Sequence, residues 1–502
     1  MEIDPHRRVG LAEPVRADDP RVDVVTVSTF RPTPPRVVIV GGGLAGLATA
    51  VGLAENDLDV TLVESRPRLG GRASSFPDPT TGELIDNCQH VSMTCCTNLT
   101  DFCKRVGTDD LFRRDSALLF LSPEGRYSTL EAGPLPAPLH LAASFLKANY
   151  LTVFERLRVG YGLACLRFES TGRPGETFDA WLRRHGQTDR TIERYWATVL
   201  VSALNERLER MDVGHARKVF IDGFLRHRDG YRMELPLVPL GELYGSRLEA
   251  WLASRNVKVR LTTGVRNVET DAEGTIVGVA LRSGETIPAD FVVLAVPFDR
   301  VGSLLPEGMR RRIPTLANLE KLEASPITGV HLWFDRDVCP VDHVVTVGRL
   351  VQWVFNHTAL QGRRSADGKG QYLQIVISAS YDLLPMNNDA IADAVLADLA
   401  EIWPVTKVAV LERRRVVTEH GATFAVRPGI EALRPPQRTG VEGLFLAGDW
   451  TDTGWPATME GAVRSGYKAA EAILKDLDRP TPLVKPDLPS GLLSRLLLGR
   501  RS

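Results

Sequence analysis

No uninterrupted apolar run in the 502 residues approaches the ~18 that a helix needs to span a bilayer, so any membrane contact is expected to be peripheral. Nor does the opening Met-Glu-Ile-Asp begin an apolar signal segment, and a cytoplasmic protein is the expectation. Charge of one sign is lacking too: the formal net charge is -1, leaving no global field to gather nucleic acid. Cysteine is sparse, with six residues and no C-x-x-C pair. Four of them, Cys88, Cys95, Cys96 and Cys103, crowd one short stretch. Reduced thiols are the first reading and zinc a poor second, because the spacing does not suit paired ligands; no metal is expected. There is no repeat of fixed period.

What is present has domain texture. Residues 1–35 mix proline, arginine and aspartate without apolar period and read as a flexible leader. From Arg36 the chain changes to VVIV, a short β-branched run typical of a buried parallel strand, then to glycines and a helix of small residues. DVTLVE, residues 59–64, is the next strand, completing a βαβ unit. Residues 134–168 and 176–217 carry helical apolar patterns. Segments 257–268, 276–282 and 287–296 alternate like strands, as do 327–334, 344–355 and 371–379, and a helix is expected at 389–402.

Gly41, Gly43 and Gly46 form G-x-G-x-x-G between that first strand and its helix. The first glycine permits the tight turn, the second lets backbone approach a pyrophosphate, and the third allows close helix packing. Glu64, 23 residues after Gly41, closes the second strand where a carboxylate accepts from both ribose hydroxyls and repels a 2'-phosphate. Arg68, Gly70, Gly71 and Arg72 of RLGGR add close-approach glycines flanked by guanidinium groups; the bland alternative is a solvated basic turn. Near the other end, residues 443–461 read GLFLAGDWTDTGWPATMEG, a strand closing on Gly448 and Asp449 and then a helix start. Such a strand returns Asp449 to the ribityl chain of a flavin, while the helix N-terminus favours negative charge on the reduced ring. Trp455, Thr458 and Met459 lie at that helix start, and Val265 is a further cofactor-binding candidate. The RLGGR and Gly448-Asp449 blocks indicate FAD rather than NAD as the cofactor; with one nucleotide signature and no second, reductant must come from solution or a partner.

These blocks resemble the flavin-containing amine oxidase and plant-type phytoene desaturase superfamily, over roughly residues 36–475; ADFVVLAVP at 289–297 fits a third recurring block. Within it, segments 85–107 and 325–338 resemble the hydroxysqualene dehydroxylases. The resemblance implies an α/β fold with a Rossmann-type FAD domain built from both chain ends (36–100, 255–305 and 440–478) and a mixed α+β substrate domain (101–254 and 306–439); beyond it, residues 479–502 read as an amphipathic tail. It also implies reduction of hydroxysqualene to squalene, with water released, in squalene or hopanoid synthesis. Losing water from an allylic alcohol needs a proton donor, and His90 with Asp86 four residues before it is the candidate pair; equally, the pair simply tethers a loop. Gln89 is a further candidate near the ring. Desaturation of phytoene, amine oxidation with Trp455 as an aromatic wall, and a flavin-binding scaffold without turnover stay open. The expected ligand is a polyisoprenoid. The tail GLLSRLLLGRRS joins leucines to arginines, as a membrane-surface anchor does; a disordered or core-docked tail is its alternative.

Overall fold

The computed structural model describes residues 34–363 and 370–499, so nearly all of the expected leader and the last three residues of the tail lie outside the described residues. Arg36–Val40 is the middle strand of a five-stranded sheet in the order Lys258–Arg260, Asp59–Val63, Arg36–Val40, Phe291–Leu294, Leu444–Leu446. All four pairings are parallel. The reason for an apolar run without alternation is visible in the packing: Val37 and Ile39 enter one core, Val38 and Val40 another. A strand covered on both faces has no position left for a polar residue, and each such side chain contributes about 1.5–3 kcal/mol.

One face is covered by the helices Leu44–Leu53 and Met459–Asp476, which contact each other closely. Gly466 makes this possible, since a Cβ there would strike the Ala45 carbonyl. These two helices, more than 400 residues apart in sequence, are therefore packed backbone to backbone.

Two predicted strands divide where one was expected. Lys258–Arg260 joins the parallel sheet, whereas Val265–Thr270 turns away to pair antiparallel with Ile276–Leu281 in a separate three-stranded sheet. The break between them is set by tertiary bonds: the amides of Thr262 and Thr263 donate to the carbonyls of Arg66 and Glu64. Likewise Thr286–Pro288 stays in the small sheet, and Phe291–Leu294 enters the parallel one.

Over the nucleotide sheet's ends stands a seven-stranded mixed sheet, ordered Leu411–Phe424, Ala324–Phe334, Gln371–Ser378, Trp353–Asn356, His343–Thr346, Ala117–Leu121, Tyr127–Glu131. The predicted 344–355 strand is two short strands. Leu411–Phe424 was not foreseen. Its LERRRVVTEH is heavily charged because it is an edge strand, paired only with Ala324–Phe334 and largely half-exposed. Residues 134–168 fold as the helices Ala142–Lys147 and Val153–Phe168, the latter opened by a capping box between Thr152 and Glu155. All six cysteines are free.

Candidate flavin and substrate cavity

At the carboxyl ends of the parallel strands opens a cavity of about 820 Å³, within the ~300–1,000 Å³ common for ligand sites. Its floor is the first glycine turn. Gly41 N–H donates to the Val63 carbonyl and Gly42 N–H to Glu64 Oε2 at 2.7 Å. The helix that follows is capped by Gly43, which has no side chain to satisfy the first-turn amides. Those amides, with the helix dipole behind them, are a ready anion site. Gly70 N–H donates to the Gly42 carbonyl at 2.9 Å, so the RLGGR loop lies against the first turn. A Cβ on Gly71 would sit 2.9 Å from Gly43 Cα. Any side chain there would fill the cradle, as expected where backbone must reach a diphosphate.

Glu64 is buried, and its carboxylate is fixed before any ligand arrives: Oε1 accepts from Arg66 N–H at 2.7 Å and from Ser65 Oγ at 3.1 Å. Val265 and Arg282 line the same end of the cavity. At the opposite end Asp449 is buried and paired with Arg72, Nη2 to Oδ1 2.6 Å. Arg72 also donates through Nη1 to the Ala422 carbonyl at 2.7 Å, and the Asp449 carboxylate raises its pKa above the ordinary arginine value, against the desolvation that lowers it. A Cβ on Gly448 would strike the indole of Trp450, whose Nε1 donates to the Val296 carbonyl at 3.0 Å. Thr458 caps the helix Met459–Asp476 by accepting from Gly461 N–H at 3.1 Å, and Met459 begins that helix on the cavity wall.

Past this cradle the lining becomes apolar, with Leu118, Phe120, Phe224, Ile327, Trp353 and Phe355. Trp353 and Phe355 stack, 5.3 Å apart and 2° from parallel. One void thus joins a phosphate-accepting floor to a hydrocarbon-lined lobe.

Thirteen predicted site residues line this cavity: Gly41, Gly43, Glu64, Gly70, Gly71, Arg72, Gln89, His90, Val265, Gly448, Asp449, Thr458 and Met459. Four do not. Gly46 lies beneath it, where a Cβ would collide with the Gly41 carbonyl, so its role is packing. Arg68 turns aside, with Nε to Ser74 Oγ 3.4 Å and its guanidinium over Phe76. Trp455 points elsewhere, its Nε1 donating to Asp487 Oδ1 at 3.2 Å, with Lys218 and Arg464 over its ring. Asp86 is 1% exposed and its Oδ1 accepts from Ser75 Oγ and from Leu240 N–H at 3.0 Å. It tethers the loop, which corrects its reading as a directly acting group.

His90 faces the cavity, but in the wrong state for an acid. Its Nδ1 lies 2.8 Å from the Cys88 carbonyl, and because a carbonyl only accepts, Nδ1 must carry the proton. Burial lowers its pKa below the ordinary histidine value, so the ring is neutral at pH 7 and Nε2 holds a lone pair. Gln89 is buried on the same wall, and its Oε1 has no hydrogen-bond partner among the described residues. Sequence reasoning missed Arg66, Arg282, Trp450 and the aromatic pair Trp353 and Phe355. For the pair the signal was present, since WVF lies in a predicted strand, but strand periodicity does not say which core a face meets.

The family model for flavin-containing amine oxidoreductases matches residues 44–474. The 15-cis-phytoene desaturase of Solanum lycopersicum is 28% identical, over 90% of this chain and 80% of its own length. The 15-cis-phytoene desaturase of Synechococcus elongatus is 26% identical, over 88% of this chain and 96% of its own. Among solved structures, an oxidoreductase from Methanosarcina mazei superposes with a TM-score of 0.68 at 16% identity, over 88% of this chain and all of the other, which confirms the fold. The glycine cradle, the oriented Glu64 and the return of Asp449 from the chain's far end fit FAD, and the chain belongs to the flavin-containing amine oxidoreductase family.

Proposed function

We propose that the protein oxidises a C–H bond of an elongated, apolar polyisoprenoid, as the phytoene desaturases among its relatives do with phytoene. The supporting observation is the single cavity in which the nucleotide cradle continues into the apolar lobe, with neutral His90 on its wall. Bound FAD supplies the centre that takes up or delivers a hydride. Loss of hydride from an allylic carbon leaves a cation, and loss of a proton from the neighbouring carbon completes the double bond. His90 Nε2 has the lone pair to receive that proton, while Nδ1–H on the Cys88 carbonyl holds the tautomer. Leu118, Phe120 and Phe224 exclude water that would trap the cation. The faces of Trp353 and Phe355 stabilise positive charge near them. We assign Asp86 to positioning this loop.

Reductive dehydroxylation of hydroxysqualene is the second reading, supported by the resemblance of segments 85–107 and 325–338 to the hydroxysqualene dehydroxylases. That reaction needs a proton at the leaving oxygen, which His90 provides only when acid overcomes its lowered pKa. The two readings separate by product without oxygen. FAD-loaded protein given phytoene and a quinone acceptor is expected to form a conjugated polyene; squalene from hydroxysqualene and dithionite would transfer the assignment to the second reading. Neither product, from protein that retains its flavin, would overturn both.

A further inference from the structure

The helix Val153–Phe168 is apolar on two opposite faces. Val159, Gly162 and Leu166 point into the core, while Val153, Phe154, Leu157, Tyr161 and Phe168 point to solvent, Phe154 being 78% and Phe168 75% exposed. At 3.6 residues per turn the five solvent-facing positions fall within roughly 100° of one another, a continuous stripe. Water does not select such a stripe, and exposed apolar surface of this extent marks an interaction site. Leu146 precedes it, exposed on the neighbouring helix. The tail helix Leu492–Leu498 adds Leu492, 85% exposed, with Leu496 and Leu497. It is docked, not free: Gly491 N–H donates to the Arg226 carbonyl and Ser494 Oγ to the Leu225 carbonyl.

Charge says what the stripe meets. Residues 134–168 contain one acidic side chain, Glu155, and 491–502 contain none. Glu155 is turned inward, occupied by its own capping box and by Arg190. Lys147, Arg156, Arg158, Arg167 and Arg495 lie along these segments, and none is paired with a carboxylate among the described residues. Arg156 and Arg158 bond only backbone carbonyls, which leaves their charge uncompensated. A second copy of this chain would set these cations against themselves. An anionic lipid surface would neutralise them while its acyl boundary took the apolar stripe. The face also adjoins the lobe: Val153–Phe168 contacts the helical turn Lys218–Leu225, whose Phe224 lines the cavity and whose end holds the tail helix. Among the described residues no helix is long and apolar enough to cross a membrane.

We propose that Val153–Phe168 and Leu492–Leu498 together form a docking face for an anionic phospholipid bilayer, placed beside the apolar lobe. The test is co-sedimentation of the full FAD-loaded chain with phosphatidylcholine vesicles, with and without phosphatidylglycerol. Binding is expected only when phosphatidylglycerol is present and is expected to weaken with salt. The surface variants F154S/L157S/Y161S and L492S/L496S should each lower it about tenfold or more, and R156Q/R158Q should weaken the dependence on anionic lipid. Flavin absorbance and monomer size confirm that the variants are folded. Vesicle binding unchanged in both apolar variants overturns the proposal. So does a dimer in gel filtration that the same substitutions dissociate, since the face would then belong to a second copy. No product assay enters this test, so its failure leaves the proposed reaction untouched.

Discussion

Gly71→Ala tests the cradle most sharply, because a second glycine supplies its control. Gly71 has φ +60° and Gly82 has φ +72°, so alanine pays the same left-handed strain at either, about 1–2 kcal/mol. They differ in what a Cβ meets: nothing within 4 Å at Gly82, but Gly43 Cα at 2.9 Å at Gly71. Ordinary contact begins at 3.4 Å, so the two glycine loops must part by about 0.5 Å, widening the floor on which the diphosphate lies. Both variants should lose similar stability in urea, about 1–2 kcal/mol. Only Gly71→Ala should also lose FAD affinity, by about tenfold or more, equivalent to about 1.4 kcal/mol. Fluorescence titration of apoprotein with FAD measures this directly. Equal FAD affinity in the two variants would refute the placement of the diphosphate between the loops.

Other outcomes follow from the same geometry. His90→Ala should cut turnover about tenfold or more with bound FAD unchanged. In the native protein, desaturation should be flat through neutral pH and fall only as acid protonates His90 below its lowered pKa, whereas a rate that rises toward acid would mark His90 as a proton donor. Asp86→Ala should cost about 1–3 kcal/mol in denaturant unfolding by stranding Leu240 N–H and Ser75 Oγ. Asp86→Asn, which keeps an acceptor, should recover most of both stability and turnover; a dead but stable Asp86→Asn would restore a direct chemical role. Arg72→Ala leaves the buried Asp449 carboxylate without its partner, and a loss of about 1.5–3 kcal/mol is expected by thermal unfolding. Trp455→Phe should leave the flavin absorption spectrum unmoved, since the indole lies off the cavity.

Much of the nucleotide end was legible from residues 36–72 and 443–461 because its determinants are local. Glycines report where backbone must come close, an unbroken β-branched run reports burial on both faces, and Glu64 ends its strand at the spacing a βαβ unit imposes. FAD and the α/β class follow from those features. Tertiary structure decided what depends on distant neighbours. Thr262 and Thr263 break a strand because Arg66 and Glu64 offer carbonyls there, and Leu411–Phe424 can be charged because it is an edge. Arg68, Asp86 and Trp455 sit within the right motifs yet face Ser74, Leu240 and Asp487 rather than the cavity. Proximity along the chain does not set the direction of a side chain. His90 shows the same limit in its chemistry: burial holds its pKa below the ordinary histidine value, and the Cys88 carbonyl fixes its tautomer. Local spacing specifies backbone approach; orientation and protonation are set by packing and dielectric, which belong to the assembled fold.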